Sequence, residues 1–360
     1  MRKVRRRRSL RLPGKTLMTA ASALASAPRV SAALAAEAVH RALASANLTR
    51  AEGVVLFLSA AFARHAQAAV TAASGVAGTL QVAGMVTEGV LTETGWCLDQ
   101  PAAAALVLGE GSGLMAPDAG SERITLTGAA ALPEHPGDHV RRWGMANAGH
   151  PAWQCGRLAS PMAEFGVAGC RMRGAISPGL QFLNTEQAVT ETRGYDLLKL
   201  GNLPAAESLR RALPAALRDR LQLPIHWVAA SVAGIPIPIL SANGDGSLSL
   251  GCPLAEGSSL RWALRQPLAA EADMAASLEP LAAACQNPAC ALMFSCIGRG
   301  PLFYEGDDRD LLAFRRRFPG VPLAGAYGSG QIAPWNGATA LFRNSVATLL
   351  FEPDHVQSLP

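Results

Sequence analysis

The sequence has little charge and lacks any long hydrophobic run. Charged residues make up only 16% of its 360 residues and hydrophobic residues make up 49%, a balance that predicts a folded chain with a sizeable core rather than a disordered one. No strongly apolar run reaches the roughly 18 residues that a membrane helix requires, so we expect no membrane span. The length predicts two domains or lobes.

Disulfide and zinc signatures are also missing. The chain has seven cysteines, none of them in a C-x-x-C pair, and this odd, scattered set favours a reducing, cytoplasmic compartment. Cys285, Cys290 and Cys296 lie close together in sequence, but their spacing matches no common zinc site and no histidine is nearby. We therefore expect core thiols and no bound metal.

The net charge of +5 does not indicate nucleic-acid binding. Eight cationic side chains lie within the first 15 residues, and subtracting them from +5 leaves −3 for the rest of the chain. Residues 1–29 are predicted to be a basic, disordered tail. Arg7 and Arg8 loosely resemble a twin-arginine export signal, but Pro28 stands where cleavage would occur. A disordered tail, or translation starting at Met18, is favoured over export.

Apolar periodicity alternates between helix and strand. It predicts helices over residues 30–46, 204–221, 271–285 and 308–318, and strands over 53–59, 79–83, 103–108, 123–130, 225–232, 259–265 and 346–351. Residues 133–157 show no period and are predicted to be a long surface loop. The alternation predicts an α/β fold, with two lobes of mixed or parallel sheet and flanking helices.

The two ends of the chain contain a similar unit. Residues 56–59 and 292–295 each end an apolar run at a serine, and residues 82–89 and 323–330 follow a helix and contain a glycine-rich turn. Each unit has the length of one parallel strand–helix–strand element. We interpret the pair as an internal repeat whose loops lie at the carboxyl ends of the strands, where open α/β sheets bind ligands.

Residues 294–300 carry the densest chemistry. Cys296 follows a buried strand and precedes Arg299, and a nearby cation increases thiol reactivity. A catalytic thiol also requires a base, and no histidine is close in sequence. Three readings stay open: a ligand contact, a structural thiol, and a nucleophile.

Two further segments offer groups for a small polar ligand. Tyr327 supplies an aromatic face and a hydroxyl, Gln331 supplies a donor and an acceptor, and Asn344 precedes the last strand. A phosphate ligand is disfavoured because the sequence has no Walker lysine and no helix-opening Gly-x-Gly-x-x-Gly.

These segments resemble the C-terminal region of FIST proteins. The likeness lies in Ser-Cys-x-x-Arg-Gly at 295–300, Gly-x-Tyr-x-x-Gly-x-Ile-x-Pro at 325–334, and Asn344. Residues 53–95 and 189–209 are similar, less specifically, to the N-terminal FIST region. The resemblance implies an N-terminal region over 30–200 and a C-terminal region over 201–360. The chain departs from the family pattern at Gln331, Arg343 and Met85, where Glu, His and Cys are usual.

The resemblance implies a sensory protein, and an enzyme is the less favoured interpretation. FIST regions resemble ligand-sensing modules that are often fused to a signalling output and are proposed to bind small molecules such as amino acids. No such output segment fits in the rest of this sequence, so we expect a separately encoded partner to supply the output. One branch of the family is similar to haem-binding gas sensors, so haem stays an alternative. Its possible axial ligands in this sequence are His65, His150, His226 and Cys252.

The repeat and the resemblance together predict one shared ligand pocket. Thr87 and Glu88 would form one wall, and Cys296, Arg299, Tyr327, Gln331 and Asn344 the other. Arg299 would bind a ligand carboxylate, because its planar guanidinium pairs bidentately with carboxylates. Glu88 would bind an amino group. We expect no metal and no cofactor other than the haem alternative.

Overall fold

The computed structural model of the chain describes residues 18–118, 121–129, 140–159 and 162–354. The first 17 residues of the predicted basic tail lie outside this description. For residues 18–29 the prediction of a disordered tail is wrong, because Ala20–Ser26 forms a strand that pairs with Ala102–Leu108. Alternate small apolar residues let this strand lie against a helix, so it belongs to the fold and not to a tail.

Six helices lie in the described residues, and their ends follow local sequence signals. The first begins after Ser31, whose hydroxyl accepts a hydrogen bond from the backbone of Ala33. The sixth begins after Asp308, whose carboxylate accepts from the backbone of Leu311. The helices are α1 (Ala32–Ser45), α2 (Ala66–Ala77), α3 (Ala205–Ala212), α4 (Ala215–Arg218), α5 (Pro267–Ala284) and α6 (Arg309–Arg317).

The strands of the described residues form four sheets. In the first part of the chain they are β1 (Ala20–Ser26), β2 (Gly53–Ser59), β3 (Val82–Thr87), β4 (Gly89–Thr92), β5 (Gly95–Cys97), β6 (Ala102–Leu108), β7 (Leu114–Met115), β8 (Arg123–Thr127), β9 (Arg142–Ala146), β10 (Ala152–Gln154), β11 (Arg157–Ala159), β12 (Met162–Val167) and β13 (Cys170–Ser177). The remainder are β14 (Leu180–Phe182), β15 (Gln187–Arg193), β16 (Asp196–Leu200), β17 (Leu203–Pro204), β18 (Val228–Val232), β19 (Ile235–Ala242), β20 (Leu248–Leu250), β21 (Ser259–Arg265), β22 (Cys290–Cys296), β23 (Leu323–Gly328), β24 (Gly330–Trp335), β25 (Ala338–Phe342) and β26 (Val346–Pro353).

Two six-stranded sheets share one topology. The first has the order β1-β6-β2-β3-β10-β11 and the second β13-β26-β22-β23-β4-β5. In each, the third and fourth strands are parallel and every other neighbouring pair is antiparallel. Both predicted strand–helix–strand units are present, as β2–α2–β3 and β22–α6–β23. Their descent from one repeated sequence stays a prediction.

The two sheets pack face to face with helices outside. The rings of Phe57 on β2 and Phe294 on β22 meet edge to face with centroids 5.9 Å apart. The opposite face of the first sheet packs on α1 and α2, and the opposite face of the second packs on α5 and α6. The α/β fold class is thus confirmed, as a helix–sheet–sheet–helix arrangement. A third six-stranded sheet, of mixed parallel and antiparallel pairs in the order β25-β24-β9-β8-β12-β7, completes the central core.

Residues 180–265 form a separate unit, the inserted unit, between β13 and α5. Its eight strands, β14 to β21, enclose a separate core with α3, in which the indole of Trp262 donates to Ser208 at 3.1 Å. Lys199 on β16 pairs with Pro204 on β17. The predicted boundary after residue 200 therefore runs through this sheet.

Several local predictions require correction. Gly84 was expected in a turn but lies inside β3, where a side chain would collide with the carbonyl of Leu56. The predicted loop at 133–157 contains β9 and β10, whose Trp143 and Trp153 are buried; residues 133–139 lie outside the described residues. The predicted helix 204–221 is interrupted at Pro214, because proline removes a helix hydrogen bond.

Candidate functional site

A cavity of about 1030 Å³ lies where the inserted sheet meets the carboxyl ends of β22 and β23. Cys296 ends β22, Ser329 follows β23, and Arg265 ends β21; all three line the cavity. Ligands of open α/β sheets bind at this end of parallel strands. The cavity is therefore the candidate site, and its polar and charged lining comprises His226, Arg265, Gln266, Cys296, Tyr304, Glu305, Arg309, Ser329, Arg343 and Asn344.

The mouth of the cavity is apolar. Leu217 belongs to the inserted unit. Leu268 lies in the first turn of α5, and 74% of its surface is exposed. Exposed leucine and tryptophan at a cavity rim offer apolar area to a ligand. The main apolar lining is Leu217, Trp227, Pro238, Pro267, Leu268 and Phe303.

Cys296 is positioned by the end of β22. Its backbone N–H donates to the carbonyl of Ser345 at 3.0 Å, and only 7% of the residue is exposed. The adjacent Gly298 lacks a side chain that would stand over the thiol, since a Cβ there would lie 3.8 Å from Sγ. Among the predicted site residues, Cys296 and Asn344 are the two that line the cavity.

Asn344 occupies a left-handed turn between β25 and β26. Its φ is 56°, a conformation that asparagine adopts more readily than most residues. The residue is only 5% exposed, yet its Nδ2 donor has no hydrogen-bond partner among the described residues. A buried donor without an acceptor costs free energy, so this amide is available to an acceptor in the cavity.

Arg265 is a candidate site residue that the sequence pattern did not indicate. Its Nε is buried without a hydrogen-bond partner, and no ion pair joins it to another described residue. Burial lowers the pKa of this guanidinium, whereas the nearby Cys296 opposes that shift. The other cavity cations differ: Arg309 pairs with Glu271 at 3.0 Å, and Arg343 donates to the carbonyl of Ser329 at 3.4 Å.

Arg299 has a different role from the predicted one. It is fully buried, and its Nε and Nη2 donate to Asp310 at 3.0 and 2.9 Å. Further donations reach the carbonyl of Ser177 at 2.8 Å and that of Ala270 at 2.9 Å. Burial opposes the charge, but Asp310 raises the pKa of Arg299 above its usual value. Arg299 therefore links β13, α5 and α6, and a protein carboxylate occupies the place predicted for the ligand.

Tyr327 and Gln331 are also buried within the protein and do not line the cavity. The Tyr327 hydroxyl donates to Asp308, and Oε1 of Gln331 accepts from Ser345 at 2.9 Å. Gln331 retains an unpartnered Nε2. Because both side chains are buried within the protein, neither contacts the cavity directly.

Thr87 and Glu88 do not form a second wall. The Thr87 hydroxyl donates to the carbonyl of Gly89 at 2.8 Å, and Glu88 lies 3.2 Å from Nε2 of His150. The backbone N–H of Glu88 donates to the carbonyl of Tyr327 at 2.9 Å. The two predicted loops thus meet through their backbones, but neither Thr87 nor Glu88 reaches the cavity. The predicted pocket with a wall from each loop is therefore wrong, because only the second loop contributes to the cavity lining.

The possible metal and haem ligands of the sequence lie at different places relative to the cavity. In the part of the chain that the structure describes, no group of three or more His, Cys, Asp or Glu side chains is placed to hold a metal ion. His226 lines the cavity but is exposed at its rim, whereas a haem ligand requires an apolar pocket. His65, His150 and Cys252 lie outside the cavity lining. No described helix is long and apolar enough to cross a membrane.

Comparisons with known proteins match part of the chain. Residues 204–334 match the family model described as the FIST C domain. The chain is similar to an uncharacterized protein of Mycobacterium bovis, at 26% identity over 208 residues, covering 52% of this chain and 54% of that protein. Two uncharacterized proteins of Mycobacterium tuberculosis match at 26% over 208 residues and 25% over 205, with the same shares. The chain spans about half the length of the curated relatives it matches.

Proposed function

The chain carries a FIST C domain over residues 204–334, and from this premise we propose that it is a sensory protein that binds a small ligand in the cavity around Cys296 and Asn344. The FIST C domain is associated with sensory and signal-transduction ligand binding. Most of the lining, from Pro214 to Ser329, comes from the matched residues.

The observation that carries the proposal is the pair of unpartnered donors in one cavity. Nε of Arg265 and Nδ2 of Asn344 are buried and have no acceptor among the described residues. The volume of about 1030 Å³ is at the upper end of the roughly 300–1,000 Å³ of small-molecule sites. A ligand that supplies acceptors would satisfy both donors and fill the cavity.

Amino-acid-like metabolites are the class to screen first. The cationic side chains of the lining would bind the carboxylate, and Glu305 is the carboxylate of the lining that would bind an amine. We further propose that a separately encoded signalling protein reads the liganded state, in the cytoplasm.

The test is a thermal-shift screen of a metabolite library against a variant whose cavity is blocked. Gly298→Leu would place a side chain between Cys296 and Asn344. Gly75→Leu is the matched control, because the space beside Gly75 on α2 is open and remote from the cavity. Hits should stabilise wild type and the control but not Gly298→Leu. A ligand at 100 times its Kd stabilises by about 2.7 kcal/mol. Hits that persist in Gly298→Leu would place binding elsewhere, and a library without hits would contradict the proposal.

A cysteine-dependent enzyme is the second candidate, because Cys296 lies in the cavity beside the cationic Arg265. A nucleophilic thiol requires a base within hydrogen-bond reach. The histidine of the lining, His226, makes no hydrogen bond to Cys296 in the part of the chain that the structure describes, and it is exposed to solvent. Rapid, selective alkylation of Cys296 at neutral pH would favour the enzyme.

A further inference from the structure

The cavity has an excess of positive charge at its polar end. Arg265, Arg309 and Arg343 line it, against the single carboxylate of Glu305. Arg309 is neutralised by Glu271 at 3.0 Å, which leaves Arg265 and Arg343 without a carboxylate among the described residues. Arg343 is exposed to solvent, whereas Arg265 is more enclosed and keeps a buried, unpartnered Nε. Arg265 is thus the more enclosed of the two lining cations that no described carboxylate compensates.

One further buried donor lies in the same lining. Nδ2 of Asn344 has no acceptor among the described residues, and the residue is 5% exposed, so water does not readily replace the missing partner. The Tyr304 hydroxyl interacts with Arg299 and Asp310 instead. Nε of Arg265 and Nδ2 of Asn344 thus form a set of two groups that can act only as donors. Such a set selects a ligand group that is an acceptor and carries negative charge.

The remainder of the cavity indicates an apolar ligand body. Leu217 and Trp227 come from the inserted unit, Phe303 lies between β22 and α6, and Pro267 and Leu268 lie at the start of α5. None of these five side chains carries a charge, and the indole of Trp227 is the sole polar group among them. A polyanion such as a nucleotide would place charge against this apolar mouth.

We propose that the ligand is an organic monoanion, a carboxylate on an apolar body, and that Arg265 rather than Arg299 binds its carboxylate, with Asn344 Nδ2 as the second donor. The inference rests on the proposed function and specifies the ligand class of the same cavity. A carboxylate suits a guanidinium because two parallel N–H···O bonds form between planar groups. Arg299 is excluded from this role since Asp310, Ser177 and Ala270 already accept from it.

The experiment compares four probes that share one apolar body: 4-phenylbutyrate, 4-phenylbutanamide, 4-phenylbutylamine and 4-phenylbutyl phosphate. Binding to the full chain is measured by calorimetry at constant ionic strength. We expect 4-phenylbutyrate to bind about tenfold or more tightly than the amide, the range of a hydrogen bond to a charged group, and the amine to bind most weakly. Phosphate binding tighter than carboxylate binding would overturn the monocarboxylate assignment.

Variants assign the carboxylate to Arg265. In Arg265→Gln, 4-phenylbutyrate should lose its advantage over the amide, whereas Arg265→Lys should keep part of it. Arg64→Gln is the matched control, because Arg64 is exposed and does not line the cavity, and it should change the carboxylate Kd less than about threefold. Arg265→Gln should melt no lower than wild type, since it removes an unpaired, partly buried charge. An unchanged carboxylate preference in a folded Arg265→Gln overturns the inference.

The outcomes separate the inference from the proposed function. Binding that Gly298→Leu abolishes, but that shows no preference for the carboxylate probe, overturns the anion inference and leaves the ligand-binding function standing. Absence of binding for all four probes also overturns the inference. Only the additional absence of any hit in the metabolite screen contradicts the function itself.

Discussion

Arg299 and Asp310 form an ion pair that is entirely enclosed by protein, with N–O distances of 3.0 and 2.9 Å and no exposure of either side chain. The pair joins the turn after β22 to the first residues of α6. Because Arg299 also donates to Ser177 and Ala270, it fixes the second sheet to α5 on the side that holds the cavity. The motif residue that is most suggestive of ligand binding in sequence therefore stabilises the fold.

The first prediction concerns this pair. Arg299→Ala leaves the Asp310 carboxylate buried without a partner and should lower the free energy of unfolding by about 3–5 kcal/mol. Arg317→Ala is the control, since the Arg317–Glu279 pair is largely exposed and should contribute about 1 kcal/mol or less. Urea denaturation at pH 7 measures both. A loss below 1 kcal/mol in Arg299→Ala would contradict the structural role.

The second prediction concerns acid stability. Burial alone would raise the pKa of Glu164, but hydrogen bonds from Arg142, Arg123 and Thr125 together lower it. A carboxyl whose pKa is lower in the folded state stabilises the fold above its unfolded pKa, about 4.5 for this group, and the stabilisation disappears as pH falls through the folded value.

Wild type should therefore be more stable than Glu164→Gln at pH 7, and the difference should shrink steadily below about pH 4.5. Urea midpoints between pH 3 and pH 7 measure it. Glu186→Gln is the control, because Glu186 is 57% exposed and 3.9 Å from Arg261. A difference that is constant over the whole range would contradict the assignment of Glu164 as the titrating group.

The elements that sequence predicted well are those whose cause is local. Residues 53–59 form a strand because seven consecutive buried residues bounded by turn signals can lie between two apolar layers. The helix at 308–318 begins at an aspartate cap and is apolar on one face. Strand β1 was missed because its small residues carry a weak apolar signal that also suits an export signal or a tail.

The site was harder to predict because its residues are defined by partners distant in sequence. Arg299 looks free for a ligand until Ser177, 122 positions away, is brought beside it. Arg265 appeared only as the end of a predicted strand, and no local pattern indicates that a strand-end arginine will lack an acceptor. Cys296 and Asn344 were predicted because the family motif includes them. That motif carries no information about which side chains lie opposite them in the cavity.

The third prediction tests the close packing of the first sheet. A Cβ at Gly84 would lie 1.7 Å from the carbonyl oxygen of Leu56 on the neighbouring strand. Gly84→Ala must therefore separate β2 from β3, and we expect a loss of about 3 kcal/mol or more, in the range of severe core substitutions. Gly95→Ala is the control, because no atom lies within 4 Å of a Cβ there. Equal melting temperatures for the two variants would show that β3 can shift at no cost.

The fourth prediction uses Cys296 as a reporter of ligand binding. Cys155 is exposed and Cys296 is buried to 7% exposure, so iodoacetamide should modify Cys155 first and Cys296 more slowly. Since Cys296 lines the cavity beside Arg265, saturating 4-phenylbutyrate should slow its modification further and leave the rate at Cys155 unchanged. The protection should be lost in Arg265→Gln and retained in Arg64→Gln, whose side chain lies outside the cavity lining, as measured by mass spectrometry of peptides over time. Modification of Cys296 faster than Cys155 would instead support a nucleophilic thiol, and protection that persists in Arg265→Gln would show that the ligand is held by other groups.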